Sequence, residues 1–280
     1  MDKPEKLYSE KIDQVIWETI VSDTVTPISI LMRLEDHSNC FLLESVEGGT
    51  KRGRYSIVGM KPDLWWKSDG NKAFIKSKWT SGFKKEKQGT FKSLKNLIDS
   101  SHIDLPPHLP RMSAGIFGYI GYDNVRLIED INELSKSNGD FPDSLLMRPS
   151  LIIVFDNLKD ELSVVYSLRH NPNQKYQEAL TEANAAIEFV LDLLKKPFNE
   201  THVPIKQKKI DISSNTTKND YLKMVESAKN YIYEGDIFQV VLSQRFKSNF
   251  ELPPFELYRS LRRINPVSYT HLRAHEKRVN

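Results

Sequence analysis

Two runs rich in β-branched residues, SLIIVF at 150–155 and ELSVVY at 161–166, are separated by the turn-forming DNLKD, and that pattern constrains the fold most. It reads as an antiparallel hairpin whose further partners are strands earlier in the chain. From Pro172 onward Tyr176, Leu180, Ala183, Ile187, Val190, Leu191 and Leu194 recur every three to four residues. That spacing puts one apolar stripe on a long helix, which Pro197 stops. A sheet carrying helices follows: an α+β chain of antiparallel sheets packed with helices.

Upstream the pattern is mostly β. FLLESV at 41–46 and RYSIVG at 54–59 read as strands, and Asp69-Gly70 between LWWKS and KAFIK reads as a hairpin turn. Thr26-Pro27 directs the chain into the apolar run ISILMRL, read as another strand. Before it, Ile12, Val15, Ile16 and Ile20 stand at helical spacing in a short amphipathic stretch. The glycines of GIFGYIGYDNVR, at 115, 118 and 121, lack the order and context of a dinucleotide fingerprint. Close packing of a glycine-bearing strand is the expectation there.

Residues 197–219 are polar, hold two prolines and show no sustained periodicity, so they read as a linker or crossover between a domain at 1–196 and a unit at 220–266. Thr217 or Asn219 is placed to cap a helix carrying Tyr221, Leu222, Val225, Ala228 and Ile232, with Gly235 as its stop. IFQVVLSQRF at 237–246 alternates Phe238, Val240 and Leu242 with Gln239, Ser243 and Arg245, which predicts a strand with one core face and one polar face. After Pro253-Pro254, LYRSLRRI belongs to a last helix that Asn265-Pro266 ends.

Charge excludes a nucleic-acid footprint. The formal net charge is +3; residues 267–280 hold three basic residues and one acidic, a net +2, which leaves +1 for everything before them. Lys84, Lys85 and Lys87, and Lys206, Lys208 and Lys209, read as solvated loops. Cys40 is the one cysteine, so no intramolecular disulfide forms and a reducing cytoplasmic setting is expected. Beside Phe41, Leu42 and Leu43 it reads as a buried structural thiol. The N-terminus has no signal-peptide core, and no apolar run is long enough to span a bilayer.

Spacing alone yields no phosphate loop, serine elbow or metal-spaced cysteine and histidine set. The ordered series TPISILMRL, FLLESVEGG, GRYSIVG, GIFGYIGYDNVRLIE, FPDSLLM, IIVFDNL, AKNYIYEGDIFQVVLSQRF and LYRSLRRINP, however, resembles the large subunits of anthranilate synthase, in the chorismate-utilising enzyme family. The related large subunit of aminodeoxychorismate synthase is less similar; it tends to carry asparagine and threonine where this chain has Val241 and Ser243.

The resemblance implies an enzyme, a lyase, that adds ammonia to chorismate and eliminates pyruvate to give anthranilate, the first step of tryptophan biosynthesis. It further implies Mg2+ on the substrate carboxylate, a glutamine amidotransferase subunit as the ammonia source, and tryptophan as feedback inhibitor. The motif LLES carries the inhibitor-binding assignment: Leu43, Glu44 and Ser45, with Tyr269 from a second motif. Ser45 can hydrogen-bond a polar group and Glu44 can complement an ammonium, although strict alternation sets those two on opposite faces. The second motif, NPSPYM in the family, departs here. Asn265, Pro266 and Tyr269 fit, but Val267, Ser268 and Thr270 do not, and 267–280 reads as a non-family tail in which His271, His275 and Glu276 make no convincing metal set. The catalytic residues and the Mg2+ ligands of the family are expected beyond this chain, and the chain alone is expected to be inactive and poorly soluble.

Overall fold

The computed structural model describes residues 3–34, 39–47, 51–131, 141–196 and 211–264, with backbone only at 45–47 and 51–52. They form two compact units, one from the residues up to 196 and one from 211–264.

The first unit is an eight-stranded antiparallel sheet with helices on both faces. In chain order its elements are α1 (Lys3–Ser9), β1 (Gln14–Val21), α2 (Pro27–Arg33), β2 (Phe41–Glu47), β3 (Lys51–Asp69), β4 (Lys72–Ser77), β5 (Lys84–Lys85), α3 (Thr90–Ser101), β6 (Phe117–Ile120), β7 (Ser144–Asp156), β8 (Glu161–Leu168) and α4 (Tyr176–Lys195). The expected antiparallel α+β class is the one observed. Its spine is the pair β3 and β7, which runs from Tyr55 opposite Asp156 to Ser68 opposite Ser144 with one register shift between Pro62 and Leu64. β2 and β4 share the outer edge of β3, while β6 and β8 share that of β7. The expected 150–166 hairpin is β7–β8, from Leu151 opposite Tyr166 to Asp156 opposite Glu161. The Asp69-Gly70 turn joins β3 to β4.

α4 lies where the periodicity puts it. Ala179, Ala183 and Ala186 are buried beside Ile187 and Val190, and such small side chains let the helix sit close to Val164, Tyr166 and Leu168 of β8. On the opposite face Trp66 is buried against Leu97 of α3 and donates its Nε1–H to Ser93 Oγ at 2.8 Å. Cys40 is half-buried against the larger core, and burial pushes its thiol pKa up, as an inert structural thiol requires.

In this first unit three local expectations are corrected. The stretch at 12–21 is a strand, not a helix: β1 pairs with β8 along its whole length, from Gln14 opposite Leu168 to Val21 opposite Glu161. Its β-branched side chains suit that pairing, and Val15 reaches one core while Ile16 and Ile20 pack against the other. ISILMRL is the helix α2 rather than a strand. Thr26 Oγ1 accepts from Ser29 N–H, Ser29 Oγ accepts from Thr26 N–H, and Pro27 opens the first turn, a capping box that outweighs the apolar run. Lys84 and Lys85, read as loop, form the short edge strand β5 against β4.

In the GIFGYIG segment β6 packs as expected. Gly118 has φ +149°, and a Cβ there would collide with the backbone of Leu145 and Leu146. Gly118→Ala should therefore destabilise the first unit by about 1–3 kcal/mol through overpacking and an unfavourable φ. Urea unfolding followed by tryptophan fluorescence checks this; an unchanged midpoint would show that β6 does not hold the register Phe117 opposite Met147.

The second unit holds β9 (Ile212–Ser214), α5 (Lys218–Glu234), β10 (Phe246–Ser248) and α6 (Pro254–Ile264). β9 falls inside the stretch read as linker and pairs with β10. α5 begins and ends as expected, with Thr217 Oγ1 accepting from Asp220 N–H at 3.2 Å and Gly235 left-handed at φ +84°. The strand expected over 237–246 does not form. Among the described residues only Ile212–Ser214 pairs in this region, it reaches no further back than Phe246, and a strand without a neighbour has no ladder to hold it. Phe238 and Val241 are instead 94% and 81% exposed.

Candidate functional site

The LLES segment lies in β2, whose pairing with β3 makes two chemically different faces. Leu42 stands opposite Val58 and packs against the core under α4, whereas Leu43 stands opposite Ile57 on the other face. Cross-strand partners share a face, so Leu43 joins Phe41 and Ile57 on the side where Met112 and Phe117 also pack. Phe41 and Phe117 meet with ring centroids 5.0 Å apart. Leu43 is itself 48% exposed, so this apolar shelf is open to solvent at the leucine.

The register breaks at the serine. Glu44 stands opposite Ser56, but Val46 stands opposite Arg52, so the single residue Ser45 spans Gly53, Arg54 and Tyr55 on β3. The extra residues lie on β3, so the bulge belongs to Gly53–Tyr55 and bends that strand away from regular pairing with β2. Glu44 is half-buried. The side chain of Ser45, and all of Tyr269, lie outside the described residues, as do Lys206, Lys208, Lys209, His271, His275 and Glu276.

Within the break, β3 is tied to the β7–β8 turn. Arg54 makes a two-pronged ion pair with Asp156, with its Nη2 2.9 Å from Oδ2, and its guanidinium lies 4.9 Å from the Tyr55 ring centroid. The Asp156 carboxyl is held below its ordinary pKa: burial would raise it, but hydrogen bonds from Arg54 and the Leu158 N–H outweigh that. Asn157 donates to the Gly53 carbonyl at 2.8 Å, so the backbone at the bulge is fixed on its far side.

A second polar group, which sequence reasoning missed, sits where β3 bulges again between Pro62 and Leu64. Asp63 is 4% exposed and takes a bidentate pair from Arg148, Nε to Oδ1 at 2.8 Å and Nη2 to Oδ2 at 2.7 Å. Beside it Arg169 pairs with Asp13 at 2.6 Å and donates to the Ser101 carbonyl at 2.9 Å. Burial, and then the Arg148 charge, push the Arg169 pKa down. The group stitches the start of β1, β3, β7, α3 and the end of β8 together, which is a framework role.

Among the described residues no three His, Cys, Asp or Glu side chains come together as a metal site. These described residues therefore do not fit Mg2+. No described helix is long and apolar enough to cross a membrane.

The chain matches the family model described as chorismate binding enzyme over residues 38–279, and it belongs to that family. It is 39% identical over 262 residues to the anthranilate synthase component 1 of Cereibacter sphaeroides, covering 92% of this chain and 52% of that protein. To the protein of the same name from Acetivibrio thermocellus it is 36% identical over 255 residues, covering 89% and 51%. Its fold is similar to the crystal structure of anthranilate synthase component I from Streptococcus pneumoniae, with TM-score 0.62 and 25% identity, over 90% of this chain and 54% of that one. The chain thus spans about half the length of the curated relatives it matches.

Proposed function

We propose that this chain is the tryptophan-sensing front portion of an anthranilate synthase large subunit. The intact protein would convert chorismate and ammonia to anthranilate and pyruvate, with ammonia supplied from glutamine by an amidotransferase subunit and Mg2+ bound by residues outside those described. Residues 1–196 would form the sensing domain, 197–219 the crossover, 220–266 the start of the chorismate-binding domain, and 267–280 a tail of different character.

The observation that carries this reading is the register break at Ser45 beside the open apolar shelf of Leu43, Phe41 and Phe117. An apolar shelf suits the indole of tryptophan, and the hydroxyl that a serine brings to the register break suits its charged end. Glu44, one residue before the break, complements the ammonium.

Two measurements test the reading. Titration calorimetry should show L-tryptophan binding to the chain, and Ser45→Ala should weaken it roughly tenfold or more, because a hydrogen bond to a charged group contributes about 1.5–3 kcal/mol. Equal affinity in the two proteins would remove Ser45 from the pocket. With chorismate, ammonium and Mg2+ supplied, the chain alone should form no anthranilate by fluorescence; turnover would show that it carries a catalytic centre.

A further inference from the structure

We infer that the gap beyond the last β7–β8 pair is an internal hydration site, a small cavity holding ordered water bound to Arg169 and Ser167 beneath a latch formed by Glu182. The regular pairing stops at Leu151 opposite Tyr166, while Asp63 is the extra residue of the neighbouring bulge on β3. The space left there is a cavity of about 30 Å³. Its buried lining includes Asp63, Ser167 and Arg169, and its more exposed lining includes Lys78, Gln174 and Glu182.

Two polar atoms of that lining have no protein partner, Arg169 Nε and Ser167 Oγ. The Arg169 side chain is 10% exposed and Ser167 4% exposed, so bulk solvent does not serve them. Asp63 Oδ2 lies 3.9 Å from Arg169 Nε, too far for a hydrogen bond. Asp63 cannot swing across without giving up Arg148, which occupies both of its oxygens. A buried donor left unmade costs about 1–3 kcal/mol, and an acceptor in the cavity removes that cost.

Size and charge choose the acceptor. A water needs roughly 10–15 Å³ of such space, so the cavity admits at most two or three waters and excludes an amino acid or a substrate ring. Buried charge is already balanced, Arg148 and Arg169 against Asp63 and Asp13, so a neutral ligand fits and an anion would add an unpaired charge. At the exposed end Glu182 accepts from Tyr166 Oη at 3.0 Å, from Lys78 Nζ at 3.2 Å and from Gln174 Nε2 at 3.2 Å. Three separate segments thus converge on one carboxylate over the cavity, which slows exchange of what lies inside.

A crystal structure of the 280-residue chain at a resolution that shows solvent tests this directly. The expected result is a water within hydrogen-bond distance of both Arg169 Nε and Ser167 Oγ. An empty cavity, an Arg169 turned so that Nε meets Asp63, or an anomalous peak at that position after a bromide soak would each overturn the proposal. In solution, oxygen-17 relaxation dispersion should count at least one fewer long-lived water in Ser167→Val than in the wild type, with Ser167→Ala retaining the water on Arg169. Equal counts for the wild type and Ser167→Val would overturn it as well.

Discussion

Replacing Asp63 by asparagine should destabilise the first unit by about 3–5 kcal/mol, the range for breaking a buried ion pair while its partner stays buried. Both oxygens of Asp63 are engaged by Arg148, and the side chains are 6% and 12% exposed, so neither charge can turn to water in place. Arg169 sharpens the effect. Its guanidinium is close enough to Arg148 to lower its own pKa, and without the carboxylate between them two buried cations face each other with only Asp13 in compensation. All four tryptophans, Trp17, Trp65, Trp66 and Trp79, lie in the first unit, so their fluorescence reports its unfolding alone. The urea midpoint should fall sharply with little change in slope. A loss under about 1 kcal/mol, the scale of an exposed pair, would mean that water reaches this pair in solution.

None of that network is visible in the sequence, because ion-pair partners 85 and 156 residues apart leave no local pattern. What periodicity can show, it showed. The apolar stripe of α4, the hairpin of β7 and β8, the Asp69-Gly70 turn and both ends of α5 lie where spacing and turn chemistry place them. The error at 12–21 has a definite cause: Ile12, Ile16 and Ile20 recur every four residues, an interval that suits a strand of period two as well as a helix of 3.6. There the β-branched content of VIWETIV was the better guide, as Thr26 and Ser29 were for α2.

At 237–246 the alternation is real, but alternation describes faces and does not supply a neighbouring strand. The candidate site was legible in a different way. LLES looks like any strand end, and only its resemblance to a family motif singled it out; the break in register at Ser45 depends on how β3 pairs and cannot be read from β2 alone.

Amide hydrogen exchange should separate the two units by orders of magnitude. In the middle of β7 and β8, where Leu151, Ile152, Ile153, Val164 and Val165 are fully buried, amides exchange only on unfolding of the sheet, with protection of roughly a thousandfold or more. α5 has nothing comparable. None of its 17 residues is buried, and Leu222, Tyr231 and Ile232 are each close to half exposed or more. A helix of that length is marginal without tertiary packing, and the Thr217 cap contributes only about 1 kcal/mol. Its amides should therefore exchange nearly as fast as those of an unstructured peptide, and α6, with 11 residues and no buried side chain, should do the same. The same apolar side chains left in water favour self-association, so light scattering should rise with concentration. Protection of α5 equal to that of β7, in a monodisperse sample, would contradict both expectations. In that case its apolar stripe would be covered in solution, and the second unit would draw its stability from packing that the burial of these described residues does not contain.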